Sequence, residues 1–423
     1  MTHTGYEVGT ATLKAAVMPT AAAPIADADR LPVMDVLRGF ALLGIFLMNI
    51  EFFNMPMQFF GAGTAPGQGL DTVAGLFVQI FVQGKFWVLF SLLFGMGFAI
   101  MRERAKAAGR PFVGLYLRRT VLLMLFGALH IALLWVGDVL FAYSLGALFL
   151  LALMALRGTP ALVVGVLLYM LTAGFWTLSG VGLMFMPESM MAPIEQEMAR
   201  IAAEGAQAAQ VYREGSFVEV MRQRIDDYGF LLTGAVIFQI PMMLGVFLIG
   251  SWLVGTGKLV DPAAHRGFFL KLAIGGLVLG GIGIAASAAV GTHFDLVAEM
   301  PESTVALGLQ AMANLPMALG YLAVVVLAAV GPLGRWLSVL APPGRMALTN
   351  YLMQSLIASL VFYGYGLGMF GEMGRAAQVG FVFAVFAAQV AFSHWWLSRY
   401  RMGPMEWLWR AGTYLSRPAM RRA

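Results

Sequence analysis

Arg38 is followed eleven residues later by Asn49, and Arg119 is followed at the same interval by His130. Eleven residues turn a helix through about three turns plus about 20°, with a rise of about 16 Å. Each pair therefore shares one helical stripe, with the Arg at one end and a polar group roughly half a bilayer away. A guanidinium at a membrane boundary can hold phosphate, and a buried imidazole or amide can act on what hangs from that phosphate. The pattern suits a phosphorylated carrier threaded into a membrane. It equally suits two arginines that only anchor their helices at the inner surface.

His130 stands in GALHIALLWVGDVLFAYSLG and is the one His expected deep in the bilayer. Ionisable groups there are costly and face a bundle interior or a wet cavity. Neutral imidazole is the natural general base near neutral pH, although a membrane His also serves as a hydrogen bond to a neighbouring helix. Asp138 lies eight residues on, about 12 Å further along a straight helix, so another helix or a water must link the two. His130, Asp138 and Asn49 are the candidate catalytic groups, and Arg38, Arg119 and Arg102 the candidate phosphate ligands.

Further polar groups interrupt apolar stretches. Lys85, in QGKFWVLFSLLFGMG, sits where a Lys is least expected; it either snorkels outward or pairs with Glu51 or Asp138. The paired arrangement predicts an external cluster of Glu51, Asn54, Lys85, Asp138 and Tyr143. Asp35, Asn314 beside Pro316, and Asn350 with Gln354 one turn later behind Arg345 complete the set. Each of these also reads as glue between helices. His265, His293 and His394 are too scattered for a metal site, and no metal is expected.

The elements that position these groups follow from composition. Of the 423 residues, 60% are hydrophobic and only 12% charged, too few charges to cover so much apolar surface in water. Six of the 27 Lys and Arg residues (Lys85, Arg200, Arg213, Arg222, Arg224 and Arg375) fall on one side of the membrane, and the other 21 fall on the opposite side. That asymmetry makes the second side cytoplasmic and leaves a nucleic-acid partner without support. The expected fold is an all-α integral membrane protein of about ten transmembrane helices, both termini cytoplasmic, with one extracytoplasmic amphipathic segment.

Residues 1–30 read as a disordered cytoplasmic tail, 31–397 as the bundle, and 398–423 as a basic and aromatic C-terminal segment. The stretch 72–101 is too long for one perpendicular helix and is expected to enter the membrane near Gly84 and Lys85. Residues 187–228 form the external cap, with a capping box at Ser216 and Glu219 and eight acids against four Arg. Such a cap packs on the bundle or rides the interface more often than it binds substrate. There is no cysteine, no phosphate-binding loop and no convincing internal repeat; the glycine runs fit close helix packing.

The segments MDVLRGFALLGIFLMNI, GKFWVLFSLLFGMGFAI, LHIALLWVGDVLFAYSLG, GRMALTNYLMQSLI and GPMEWLWRAGTY resemble the YeiB-like (DUF418) family of bacterial inner-membrane proteins over Leu31–Tyr414. More distantly the chain is similar to transmembrane acyltransferases of the heparan-alpha-glucosaminide N-acetyltransferase type. Asp35, Arg38 and Gly39 match the DxxRG start of their first span, and Asn49 matches the Asn that follows in the heparan enzyme. The resemblance implies cytoplasmic acyl-CoA as donor, a bundle that carries the acyl group across, and an acceptor on the far side. The sequence departs where that enzyme places its catalytic His, because residues 50–70 contain none.

Three functions follow as expectations. The first is an acyltransferase in which His130 is the base, Asp138 or Asn49 orients it, and Lys85 or Asn49 stabilises the oxyanion. The second is a transporter or exporter of a small amphipathic solute, and the third a non-catalytic partner or sensor. Membrane lipid, a glycan or small-molecule acceptor, and a second copy of the chain are the candidate partners. The bacterial inner membrane is the expected location.

Overall fold

The computed structural model describes residues 31–59, 68–291 and 299–422. The expected tail at 1–30 and His293 lie outside them. Among the described residues, eight helices are long and apolar enough to cross a membrane, and two shorter apolar helices, Leu140–Ala152 and Ala347–Phe362, complete a set of ten. The protein is an all-α integral membrane protein that passes the membrane many times.

Pro32 opens α1 (Pro32–Phe53), where its missing N–H costs nothing. The long second stretch is broken as its length requires. α2 (Leu70–Phe77) passes through a π-turn at Val78–Val82 and stops at Gly84, whose φ of 78° restarts the chain as α3 (Lys85–Ala107). There follow α4 (Phe112–Leu133), α5 (Leu140–Ala152) and α6 (Gly158–Met184). Next come α7 (Glu188–Glu214), α8 (Phe217–Gly234), α9 (Ile240–Gly255), α10 (Arg266–Val290) and α11 (Met300–Ala329). Two single-turn helices, Gly334–Leu337 and Ala341–Arg345, lead into α12 (Ala347–Phe362), α13 (Arg375–Arg399) and α14 (Pro404–Tyr414).

Burial separates a central set from a lipid-facing one. In α1 72% of the apolar window is buried inside the protein, against 22% in α6. A hydrophobic helix with so little protein around it needs lipid as its solvent. Close approaches use small residues, as packing in lipid favours. Gly276 of α10 meets the backbone of Pro316 and Gly320 on α11, and Gly39 of α1 lies against the Leu340 carbonyl.

The stretch expected as the external cap is two helices, α7 and α8, parted at Gly215, with the expected capping box of Ser216 and Glu219 starting the second. Tyr228 is no boundary. α8 runs through a π-turn at Ala235–Gln239 straight into α9, because nothing between 228 and 240 breaks a helix. The cap packs on the bundle: Tyr212 stacks on Tyr363 and Phe370, and Arg213 donates to the Phe370 carbonyl. Arg224, fully buried, donates to the carbonyl of Ala132 at the end of α4 and to the Tyr365 hydroxyl.

Candidate functional site

α4 ends at Leu133, and the turn after it bends back over the helix end. The amides of Leu134 and Trp135 both donate to the His130 carbonyl. The Trp135 ring stacks on Phe53 at 4.4 Å and its Nε1 donates to the Phe52 carbonyl, pinning the turn to α1. Asp138 therefore returns to its own helix, although eight residues along a straight helix would have carried it away. Its Oδ2 lies 2.8 Å from His130 Nδ1, in a bent approach, and its Oδ1 accepts from the Phe141 amide at 2.6 Å. Gly127, one turn before His130, allows this contact, since a Cβ there would strike the Phe141 backbone and come within 2.8 Å of Asp138 Oδ1.

The other ring nitrogen faces a third group. His130 Nε2 is 2.8 Å from Ser355 Oγ on α12, and the Tyr351 ring lies 5.1 Å from the imidazole. All three side chains are buried in protein and none faces lipid. In the tautomer with its proton on Nδ1, on the carboxylate side, Nε2 is the acceptor for the serine hydroxyl. Ser355 and Tyr351 were missed from sequence because a Ser in a membrane helix has no distinctive signal and this one lies 225 residues from its partner. Their one-turn spacing within LTNYLMQS, the face that presents both to α4, was the available clue.

A cavity of about 150 Å³ lies beside this group, well above the ~10–15 Å³ that admits one water. Arg38 and Arg119 line one end, with Trp409 of α14; Val139, Tyr143 and Tyr351 line the other, and Leu42, Ile45, Phe94 and Leu123 lie between. Arg38 is held by Asp35 at 2.8 Å, and the Arg119 guanidinium sits 3.7 Å over the Trp409 ring. Residues near the start of the first span and beyond the last thus meet at one end of the bundle, as an even number of crossings requires. Along α4, Arg119 and His130 stand about 16 Å apart; Tyr351 lines the cavity, whereas His130, Asp138 and Ser355 lie behind it.

The base of α12 is fixed by α14. Glu406 accepts from the Leu348 and Thr349 amides and from the Thr349 hydroxyl, at 2.7, 3.1 and 2.6 Å. These are the orphan donors of a helix start, satisfied by a carboxylate. Burial holds the Glu406 carboxyl above its ordinary range, and the hydrogen bonds it accepts offset only part of that rise.

Other candidate residues fall elsewhere. Asn49 continues the stripe of Arg38, Leu42 and Ile45 but lies beyond the part that lines the cavity. Arg102 donates to the Met154 carbonyl and lines no part of it. The external cluster drawn around Lys85 does not form. Lys85 donates to the Gln79 carbonyl at the helix break, Glu51 pairs with Arg375 at 3.2 Å, and Asp138 faces His130. Lys85 is therefore no oxyanion donor for His130. Asn54 joins the Met373 carbonyl to the Gly371 amide, and Tyr143 meets Ser91. Asn350 and Gln354 hydrogen-bond Ser393 and Gln389 of α13, Arg345 donates to the Arg401 carbonyl, and Asn314 packs against Gly84. Among the described residues, no group of three His, Cys, Asp or Glu could hold a metal.

The chain is 34% identical over 409 residues to the uncharacterized protein YxaH of Bacillus subtilis (strain 168), covering 93% of this chain and 96% of that one. It is 32% identical over 399 residues to the uncharacterized protein YeiB of Escherichia coli (strain K12), covering 90% and 96%. Residues 253–416 match the family described as "Protein of unknown function (DUF418)". The chain belongs to the YeiB-like DUF418 family. A further relative, an uncharacterized 39.9 kDa protein in the amylase 3' region of Bacillus acidopullulyticus, is 28% identical over 399 residues, covering 92% and 96%. No solved structure matches the chain. Within this DUF418 protein the family match begins in α9 and includes Ser355, whereas His130 and Asp138 precede it.

Proposed function

We propose that the protein is an acyltransferase of the bacterial cytoplasmic membrane, taking an acyl group from acyl-CoA on the basic side. The acceptor is a hydroxyl or amine on a glycan, lipid or small metabolite at the far side. One observation carries this reading: a single apolar cavity has two guanidinium groups at one end and, at the other, Tyr351 in contact with the His130–Asp138 pair. The arginines suit the phosphates of the donor, and a mostly apolar cavity of about 150 Å³ suits a pantetheine arm and short acyl chain while excluding the nucleotide. His130 Nε2 is the base, Asp138 fixes its tautomer, and the Tyr351 hydroxyl replaces Lys85 as the donor to a developing oxyanion.

Release of the CoA thiol from acetyl-CoA and palmitoyl-CoA, measured in proteoliposomes supplied with membrane lipid and glycan extract, tests the proposal. Wild-type turnover lost in His130→Ala supports it; equal thiol release by both proteins contradicts it.

A second reading, a solute transporter, draws on the break at Gly84. There, among the described residues, a fully buried Lys85 faces a backbone carbonyl and no carboxylate, and Asn314 Oδ1 lacks a partner. Interrupted helices with buried polar groups mark transporter sites. Counterflow of solute in liposomes free of acyl-CoA would favour it.

A further inference from the structure

We propose that Ser355 is the nucleophile of this site and carries the acyl group as a covalent ester between donor and acceptor. The inference rests on the acyl-transfer reading and specifies its chemistry. It stands on the chain Ser355 Oγ, His130 Nε2, His130 Nδ1, Asp138 Oδ2, whose two links each measure 2.8 Å. A serine within hydrogen-bond reach of an imidazole, itself oriented by a carboxylate, is the arrangement by which unrelated folds activate a hydroxyl.

Three features separate this chain from ordinary glue between helices. Ser355 donates back to the Tyr351 carbonyl of its own helix at 3.4 Å, but its contact with the imidazole is much shorter, at 2.8 Å. The buried Ser144 and Ser287 hydroxyls, with backbone-carbonyl contacts of 2.6 and 2.7 Å, have no such imidazole beside them. Asp138 is held on its other oxygen by the Phe141 amide, so its orientation is set independently of His130. Finally, Tyr351 belongs both to the cavity wall and to the group, one helical turn before Ser355 on the same face. The covalent step requires that one ring to turn aside, which would connect the cavity to the hydroxyl.

The two half-reactions balance. In the first, Ser355 Oγ attacks the thioester carbonyl, His130 Nε2 takes the hydroxyl proton, the C–S bond breaks, and the proton passes to the departing thiolate. Free CoA thiol and a seryl ester result. In the second, an acceptor hydroxyl or amine from the far side attacks the ester carbonyl, His130 takes its proton, and the C–O bond to Ser355 breaks. The proton returns to Ser355 Oγ. Two steps on one base let donor and acceptor enter from opposite sides without meeting. α8 closes the far side, with Arg224 on the last turn of α4 and Tyr228 packed edge-on against Phe141. The Tyr228 hydroxyl, without a partner among the described residues, gives an acceptor a polar atom to meet there.

The full-length protein in detergent is exposed to radiolabelled acetyl-CoA without acceptor and, separately, to a fluorophosphonate probe, followed by peptide mapping. The expected result is acetyl ester and phosphonyl adduct on the peptide containing Ser355, absent in Ser355→Ala and reduced about a hundredfold or more in His130→Ala. Ser355→Cys keeps the side-chain size and is expected to carry acetyl as a thioester cleaved by neutral hydroxylamine, a readout that a merely structural serine would not give. Thiol release that depends on His130 but persists in Ser355→Ala, with no adduct in the wild type, overturns the covalent step and leaves the acyl-transfer reading intact. Fluorophosphonate labelling at Ser355 without thiol release supports the activated serine and overturns acyl-CoA as donor. Neither label nor thiol release overturns both.

Discussion

Gly127→Ala tests whether the turn after α4 is what holds Asp138 against His130. The added Cβ would stand 2.8 Å from Asp138 Oδ1 and closer still to the Phe141 amide, where ordinary contact begins at 3.4 Å. Asp138 must therefore retreat by about 0.6 Å and the start of α5 by more. Asp138 and Phe141 are tied by a 2.6 Å hydrogen bond, so they move together and the 2.8 Å contact with His130 opens. Overpacking of this kind costs about 1–3 kcal/mol. The change also gains helix propensity of up to about 1 kcal/mol, which hides part of that cost. Gly275→Ala is the matched control, also in a helix interior but with nothing within 4 Å of the new Cβ. The difference between the two variants isolates the clash at about 1–3 kcal/mol. Unfolding in mixed micelles, followed by tryptophan fluorescence, reads stability. Thiol release from acyl-CoA reads the site, where a displacement approaching 1 Å costs about a hundredfold. Equal unfolding midpoints and equal rates for the two variants would refute the reasoning.

Three further outcomes are expected. Asp138→Ala removes the carboxylate 2.8 Å from the buried His130 ring and the acceptor of the Phe141 amide, and should destabilise by about 3 kcal/mol, read in the same micelle assay; a loss below that of surface substitutions would contradict it. Arg38→Ala and Arg119→Ala should each weaken acyl-CoA binding by about tenfold, or about 1.4 kcal/mol, measured by titration. The Arg119 variant also loses its stacking on Trp409, so only it should loosen α14 to proteolysis. Glu406→Ala unties the start of α12 from α14 and should cost about 1–2 kcal/mol. Hydrogen exchange should rise at Leu348 and Thr349, and protection equal to wild type would count against the cap.

The spans were legible because lipid imposes length and apolarity on every helix, whatever its neighbours. The break before Lys85 was legible for the same reason: one segment was too long, and Gly84 was the residue able to take a positive φ. The site was legible only in part. His130 and Asp138 were marked by being ionisable groups in apolar surroundings, a rule that needs no partner. Their contact was hidden because a straight helix is the wrong ruler once α4 ends at Leu133 and the chain folds back. Ser355 was hidden because its meaning lies in a partner 225 residues away. Lys85 misled for a related reason. Positive-inside statistics say where a charge is unusual but not what satisfies it, and here a backbone carbonyl exposed by the helix break does so.

The most direct test of the account is a cryo-electron-microscopy map of the full protein with a non-cleavable thioether analogue of acetyl-CoA. The predicted result places the analogue's phosphates at Arg38 and Arg119 and its sulfur end beside Tyr351, with the Tyr351 ring turned to expose Ser355. An analogue bound elsewhere, with the cavity between Arg119 and Tyr351 unchanged, would contradict the account.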